Sequence, residues 1–267
     1  MTPRSIEEAF ALRRGRGQAA LVPYVTAGHP ERDVTPGLLR ALSDAGADVI
    51  ELGIPFSDPL ADGPTIQGSS FKALANGTSV VTVLAALRDF RSTHATPVVL
   101  FTYLNPVLRY GVQAFLADAA QAGAQGLLLT DLPTGADPEL EGRIRASGLD
   151  LIRLLAPTTP TARIPQVAEG GSGFLYYISR TGVTGARAEL RSTLAEDVSR
   201  VREAVSLPVA VGFGISTPEQ AREVATVADG VVVGSALVQA LEEGGVEGGA
   251  AFVAALRAGM DRHPPTG

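Results

Sequence analysis

Residues 43–53 read SDAGADVIELG: the polar end of a helix, a glycine, then an apolar run that finishes on a carboxylate. The same phrase recurs as AQAGAQGLLLT (120–130), RASGLDLIRLL (145–155) and TVADGVVVGS (226–235). Gly46, Gly123 and Gly148 stand where a left-handed residue ends a helix at little steric cost. The runs after them are almost continuously apolar, as parallel strands buried on both faces must be. Four further runs fill the intervals: ALVPYVTA (20–27), PVVLFTY (97–103), GFLYYIS (173–179) and LPVAVGF (207–213). Eight strands result, each separated from the next by helical pattern.

Helix starts are legible between them. Ser5 with Glu8, and Thr217 with Gln220, have capping-box spacing, and Pro218 suits the first helical position. Thr35-Pro36 and Thr159-Pro160 give the same signal. Eight βα units in 267 residues, with no compositional break for a linker, favour an α/β fold, a single (β/α)8 TIM barrel spanning 1–267 as one domain. A doubly wound open sheet is the alternative. The helical stretch 5–14 is an extra N-terminal helix placed to cap the barrel floor.

Composition narrows the function. Net charge is −6, aromatics are 5% and Trp is absent, which argues against nucleic acid. There is no Cys, hence no disulfide or thiolate chemistry. The first twenty residues carry charges where a signal peptide needs an apolar segment, and no run reaches the length of a membrane span. A soluble, cytoplasmic protein is expected, with neither nucleic acid nor membrane as partner.

Outward from the opening phrase, residues 49–68 read VIELGIPFSDPLADGPTIQG. A strand delivers Glu51 and breaks into a Gly/Pro-rich loop holding Asp58 and Asp62, the way barrels build active sites at strand ends. The plain readings are a strand-end carboxylate tied to an arginine for Glu51, and turn formers for Asp58 and Asp62. Asp131, after GLLLT, is a further candidate acid.

The last two βα turns, VGFGIST (211–217) and VVVGSAL (232–238), place glycine where strand gives way to helix. Barrels bind phosphate there on backbone N–H groups and a helix N-terminus, and Gly214, Gly234 and Ser235 would supply donors. Tight turns alone are the bland reading, weakened by two adjacent occurrences. Segment 179–191, SRTGVTGARAELR, is either a lid over an anionic substrate or an ordinary surface loop. Gly185 within it is a further candidate phosphate donor.

Exclusions follow from single residues. A Schiff-base aldolase or a pyridoxal phosphate enzyme needs a lysine inside the barrel, and the one lysine, Lys72, sits on a helix. A metal aldolase wants clustered ligands, whereas His29, His94 and His263 lie in unrelated contexts and read as surface residues. No metal is expected. Carboxylate acid–base chemistry on a phosphorylated substrate remains.

Together ELGIPFSDPLADGPTIQ (51–67), TDLP (130–133), SRTGVTGAR (179–187), GFGIS (212–216) and VVVGSA (231–236) resemble the α subunit family of tryptophan synthase. The resemblance implies a carbon–carbon lyase that cleaves indole-3-glycerol phosphate to indole and glyceraldehyde 3-phosphate. It implies Glu51 as general acid/base and Asp62 as acceptor of the indole N–H. Tyr24, Tyr176 and Phe213 match pocket-wall positions, Tyr24 standing where phenylalanine is common. Gly185, Gly214, Gly234 and Ser235 match phosphate binders, and Thr184 belongs to the lid. His29 stands where relatives often carry an acid. The resemblance further implies a β subunit in an α2β2 complex, contacted through Asp58 and Pro59, with pyridoxal phosphate in that partner and no cofactor in this chain. A stand-alone lyase, a non-catalytic subunit and a sugar-phosphate isomerase barrel are the competing readings.

Overall fold

A computed structural model describes residues 5–179, 187–212 and 214–261. Its strands are β1 (Ala20–Thr26), β2 (Ile50–Gly53), β3 (Val98–Thr102), β4 (Gly126–Leu129), β5 (Asp150–Leu151), β6 (Arg153–Leu155), β7 (Leu175–Ile178), β8 (Val209–Gly212) and β9 (Gly230–Val233). All pair in parallel, in the order β5-β4-β3-β2-β1-β9-β8-β7-β6. The two ends of that order, β5 and β6, are one stretch of chain parted only by Ile152, so the sheet closes on itself. The eight expected strands are all present, the fifth in two pieces. Its first piece pairs with β4, its second with β7, and the Ile152 N–H still reaches the Leu127 carbonyl at 3.0 Å.

The helices alternate with these strands: α1 (Ile6–Arg14), α2 (Thr35–Asp44), α3 (Pro64–Ala75), α4 (Val80–Arg91), α5 (Leu104–Tyr110), α6 (Val112–Gln121), α7 (Pro138–Ala146), α8 (Ile164–Ala168), α9 (Arg187–Ala204), α10 (Pro218–Ala225) and α11 (Ser235–Asp261). Gly46, Gly123 and Gly148 take φ of 102°, 89° and 83° at the ends of α2, α6 and α7, as their spacing predicts. The Thr217–Gln220 capping box forms, and the Ser5 hydroxyl accepts the Glu8 N–H. Thr35-Pro36 behaves differently: Val34 holds the cap position, because the Thr35 hydroxyl is used to accept the Gly28 N–H at 2.8 Å. Thr159-Pro160 leads into a 3-10 turn, Thr161–Arg163, before the short α8.

Two apolar layers result from strand alternation. Ile50 and Leu52 point outward into the layer shared with the helices, alongside Leu39, Leu87 and Val253. Val49 points inward to a central cluster with Val22, Val99, Leu128, Ile152, Ala210 and Val232. Helix α1 plugs the bottom of that cluster with Ile6, Ala9 and Phe10, as expected of a floor cap; the Phe10 and Phe174 rings lie 5.4 Å apart. Gly230 leaves room for it, since a Cβ there would sit 2.9 Å from the Phe10 ring. Burying one such phenylalanine contributes about 2–3 kcal/mol.

Ions also tie the floor. Asp48, just before β2, accepts from Arg13 Nε of α1 at 2.6 Å, from Arg257 Nη1 of α11 at 3.1 Å and from the Leu21 N–H at 2.8 Å. The N-terminal and C-terminal helices are thus joined at one buried carboxylate. Among the described residues no single helix is long and apolar enough to cross a membrane.

Candidate active site

The same alternation that sends Val49 into the barrel sends Glu51 there, one layer higher. Tyr24 on β1 is its neighbour in register. Glu51 is 1% exposed, and among the described residues neither carboxyl oxygen has a hydrogen-bond partner. Burial alone pushes its pKa up to about 8. An acid in that condition is protonated at neutral pH and close to giving the proton up. Among the described residues no arginine ties it into the structure.

Rings and glycines shape the space around it. Tyr24 and Phe101 meet edge-on at 5.1 Å, and Ile66 of α3 packs on Tyr24. Tyr176 on β7 lies within electrostatic reach of Glu51, and burial raises both tyrosine pKa values well out of the neutral range. Each hydroxyl fits against a glycine. A Cβ at Gly53 would come within 2.3 Å of the Tyr24 hydroxyl, and one at Gly212 within 2.5 Å of that of Tyr176. The Tyr24 hydroxyl also contacts Thr26 Oγ1 at 3.2 Å, which in turn contacts Ser69 Oγ of α3 at 2.7 Å.

Asp62 arrives by the loop 54–63 between β2 and α3. The loop is bonded internally: the Asp62 N–H reaches the Pro59 carbonyl, and Gln67 Nε2 donates to the Asp62 carbonyl at 2.9 Å. Tyr103, at the end of β3, donates its hydroxyl proton to Asp62 Oδ2 at 3.0 Å. Burial raises the Asp62 pKa to about 6, and the Tyr103 hydrogen bond opposes that rise. Tyr24 and Tyr176 both feel Asp62 as well as Glu51, so the two acids act on the same pair of rings.

The glycine turns are adjacent, since β8 pairs with β9. Gly214 has φ 75° at the first; Gly234 and Ser235 lead directly into α11 at the second. Only β1 separates β9 from β2, so both turns and both acids occupy the same C-terminal rim. Backbone N–H groups at such a helix start form an anion seat. Phe213, Thr184 and Gly185 lie outside the described residues.

Other candidates part company. Asp131 caps α5, its Oδ1 accepting the Leu104 N–H at 2.7 Å, and so has a structural use. Asp58 is exposed with Ser57 donating to it, while Pro59 is buried beneath the loop. Lys72 is exposed on α3, away from the barrel interior. Reading His29 as a surface residue is wrong: it is fully buried, with Nε2 3.2 Å from Glu242 Oε1 of α11. A contact spanning 213 residues leaves no trace in local spacing. His94 is partly covered, stacked on Phe90 at 5.3 Å, and His263 lies outside the described residues. Tyr103 went unnoticed in the sequence; its one signal is an aromatic hydroxyl at the strand end of PVVLFTY.

Comparison with known proteins bears on the family and the fold. The family model described as "Tryptophan synthase alpha chain" matches residues 10–260. A tryptophan synthase alpha chain of Geobacter sp. (strain M21) is 52% identical over 261 residues, covering 96% of this chain and 97% of its own. One from Synechococcus elongatus is 48% identical, covering 97% and 98%. Among solved structures, Mycobacterium tuberculosis tryptophan synthase superposes with a TM-score of 0.88 at 38% identity, over 98% of this chain and 100% of that one. Tryptophan synthase subunit alpha from Legionella pneumophila gives 0.88 at 37%, over 96% and 98%. The chain therefore belongs to the tryptophan synthase alpha chain family, a (β/α)8 barrel lyase.

Proposed function

We propose that Glu51 and Asp62 carry the family's reaction, retro-aldol cleavage of indole-3-glycerol phosphate to indole and glyceraldehyde 3-phosphate. The observation that carries this is Glu51: a wholly buried carboxyl with no partner among the described residues, pKa up to about 8, beside the Tyr24 ring on the neighbouring strand.

Protonated Glu51 gives its proton to indole C3, which leaves positive charge on the ring nitrogen. Ionised Asp62 accepts the indole N–H and stabilises that charge. Glu51, now a carboxylate, takes the proton of the hydroxyl on the carbon attached to C3. The carbon–carbon bond breaks, its electron pair returns to the ring, and the hydroxyl carbon becomes the aldehyde. One proton added at C3 balances one removed from oxygen, so a single acid/base serves both steps. Tyr24, Tyr176 and Phe213 wall the indole; Gly185, Gly214, Gly234 and Ser235 hold the phosphate; Thr184 belongs to the lid.

The chain acts with a β subunit in an α2β2 complex in the cytoplasm, contacts it through the loop of Asp58 and Pro59, and passes indole on for L-tryptophan synthesis. Pyridoxal phosphate belongs to that partner: it needs an amine for its Schiff base, and Lys72 is exposed on a helix. In this reading residues 1–267 act as one domain. The test is indole release by the purified chain, alone and with β subunit, for wild type and Glu51→Gln. Slow release alone, stimulation by the partner and near-total loss in the variant are expected. Fast partner-free turnover would indicate a stand-alone lyase, and no release in either condition a non-catalytic subunit.

A further inference from the structure

We infer that Tyr103 is a positioning residue for this reaction: its hydroxyl clasps the loop that carries Asp62 and aims a proton donor at that carboxylate. The inference rests on the role of Asp62 proposed above.

Tyr103 is buried at the junction of β3 and α5, on a different strand from the one that leads into the Asp62 loop. Its hydroxyl oxygen lies 2.9 Å from the Ala61 N–H and 3.0 Å from Asp62 Oδ2. The amide can only donate, so the hydroxyl accepts there and its single proton is left for the carboxylate. The ring lies 5.3 Å from that of Phe56, so one side chain holds the loop near both ends. The root of the loop is tied to the same strand: the Ile54 N–H reaches the Phe101 carbonyl at 2.9 Å, and Thr102 Oγ1 donates to the Ile54 carbonyl. Strand β3 therefore sets where a residue tethered to β2 comes to rest.

The chemical consequence concerns charge. Asp62 has to be ionised to accept the indole N–H, and burial works against that. The titratable groups facing it are Tyr103 from the β3–α5 junction, Tyr24 from β1 and Tyr176 from β7; the last two face Glu51 of β2 as well. Among the described residues Asp62 forms no ion pair, so the Tyr103 hydroxyl is the donor that favours its charged form. Geometry and charge thus reach Asp62 through one atom.

The experiment measures indole release against pH for the full chain with saturating β subunit, varying indole-3-glycerol phosphate. Tyr103→Phe keeps the ring and its packing on Phe56. It should lower kcat about ten-fold, as loss of one charge-assisted hydrogen bond does, with a smaller change in KM. Its acid limb should move to higher pH while the melting temperature holds. Placing 3-fluorotyrosine at 103, a stronger donor, should move that limb to lower pH, and this arm stands even where Tyr103→Phe folds poorly. An acid limb unmoved in both proteins would overturn the inference. Asp62→Asn separates the two failures. Retained activity there removes the role of Asp62 and this inference with it; lost activity beside unmoved Tyr103 profiles removes this inference alone.

Discussion

Two buried acids stand three residues apart, Asp48 just before β2 and Glu51 within it, and the fold treats them in different ways. Asp48, at the barrel floor, is held by two arginines and a backbone N–H. Glu51, at the mouth, is more deeply buried and is held by nothing among the described residues. Both take a carboxyl group out of water, which is unfavourable for its charged form. At the floor burial still raises the carboxyl's pKa, but ion pairs that staple α1 and α11 to the sheet, and a backbone N–H, oppose that rise. At the mouth it is left standing, and a proton sits on Glu51 at neutral pH instead. The lesson is that burial does not distinguish a structural acid from a chemical one; the partners do.

The largest effect expected from that difference is on turnover. Glu51→Gln removes the one group that both gives and takes the proton, so indole release should fall by about a thousand-fold or more. Its melting temperature should not fall, because a neutral amide replaces an acid that has no hydrogen bond among the described residues. A variant that keeps its rate would erase the contrast between Asp48 and Glu51.

Asp48→Ala should do the reverse. Leaving Arg13 and Arg257 buried without their carboxylate lowers unfolding free energy by about 3–5 kcal/mol, read from a denaturant curve. The folded fraction should keep its kcat. A catalytic defect with unchanged stability would mean that the floor acid also serves the chemistry.

A subtler effect sharpens the comparison through pH. The folded pKa of Glu51, about 8, lies above its ordinary 4.5, so between those values the native state holds a proton that the unfolded chain has released. Stability should therefore decline as pH rises through that window and level off above it. Denaturant midpoints of wild type and Glu51→Gln, compared from pH 5 to 9, should converge toward the acid end and separate toward the alkaline end. Parallel curves would place an ionised Glu51 in the folded protein throughout.

Smallest is Ser235→Ala at the start of α11. Losing one donor to the substrate's phosphate should raise KM about ten-fold and leave kcat nearly unchanged, since the phosphate is bound alike before and during reaction. An unchanged KM would remove the Ser235 hydroxyl from the phosphate site and leave binding there to backbone N–H groups alone.

The parts of this molecule visible in its sequence are those encoded by local repetition. Apolar runs, four of them in the helix–glycine–strand phrase, marked all eight strands, because strands buried on both faces admit few polar residues. Glu51 was readable as the carboxylate that the second strand delivers, and the floor helix from its place ahead of the first strand. What stayed hidden depends on residues far apart in the chain. The break at Ile152 comes from pairing with β4 on one side and β7 on the other, which no property of residues 150–155 announces. His29 is buried by Glu242, and Tyr103 reaches Asp62 across 41 positions. Such contacts are products of barrel closure.

The most direct test of the difference between the two acids is a carbon-13 NMR titration of glutamate side-chain carboxyl groups, with Glu51 assigned by its absence in Glu51→Gln. The account predicts that the Glu51 resonance titrates near pH 8. A midpoint at the ordinary value near 4.5 would leave the group charged at neutral pH, with no proton to deliver to indole C3, and would contradict it.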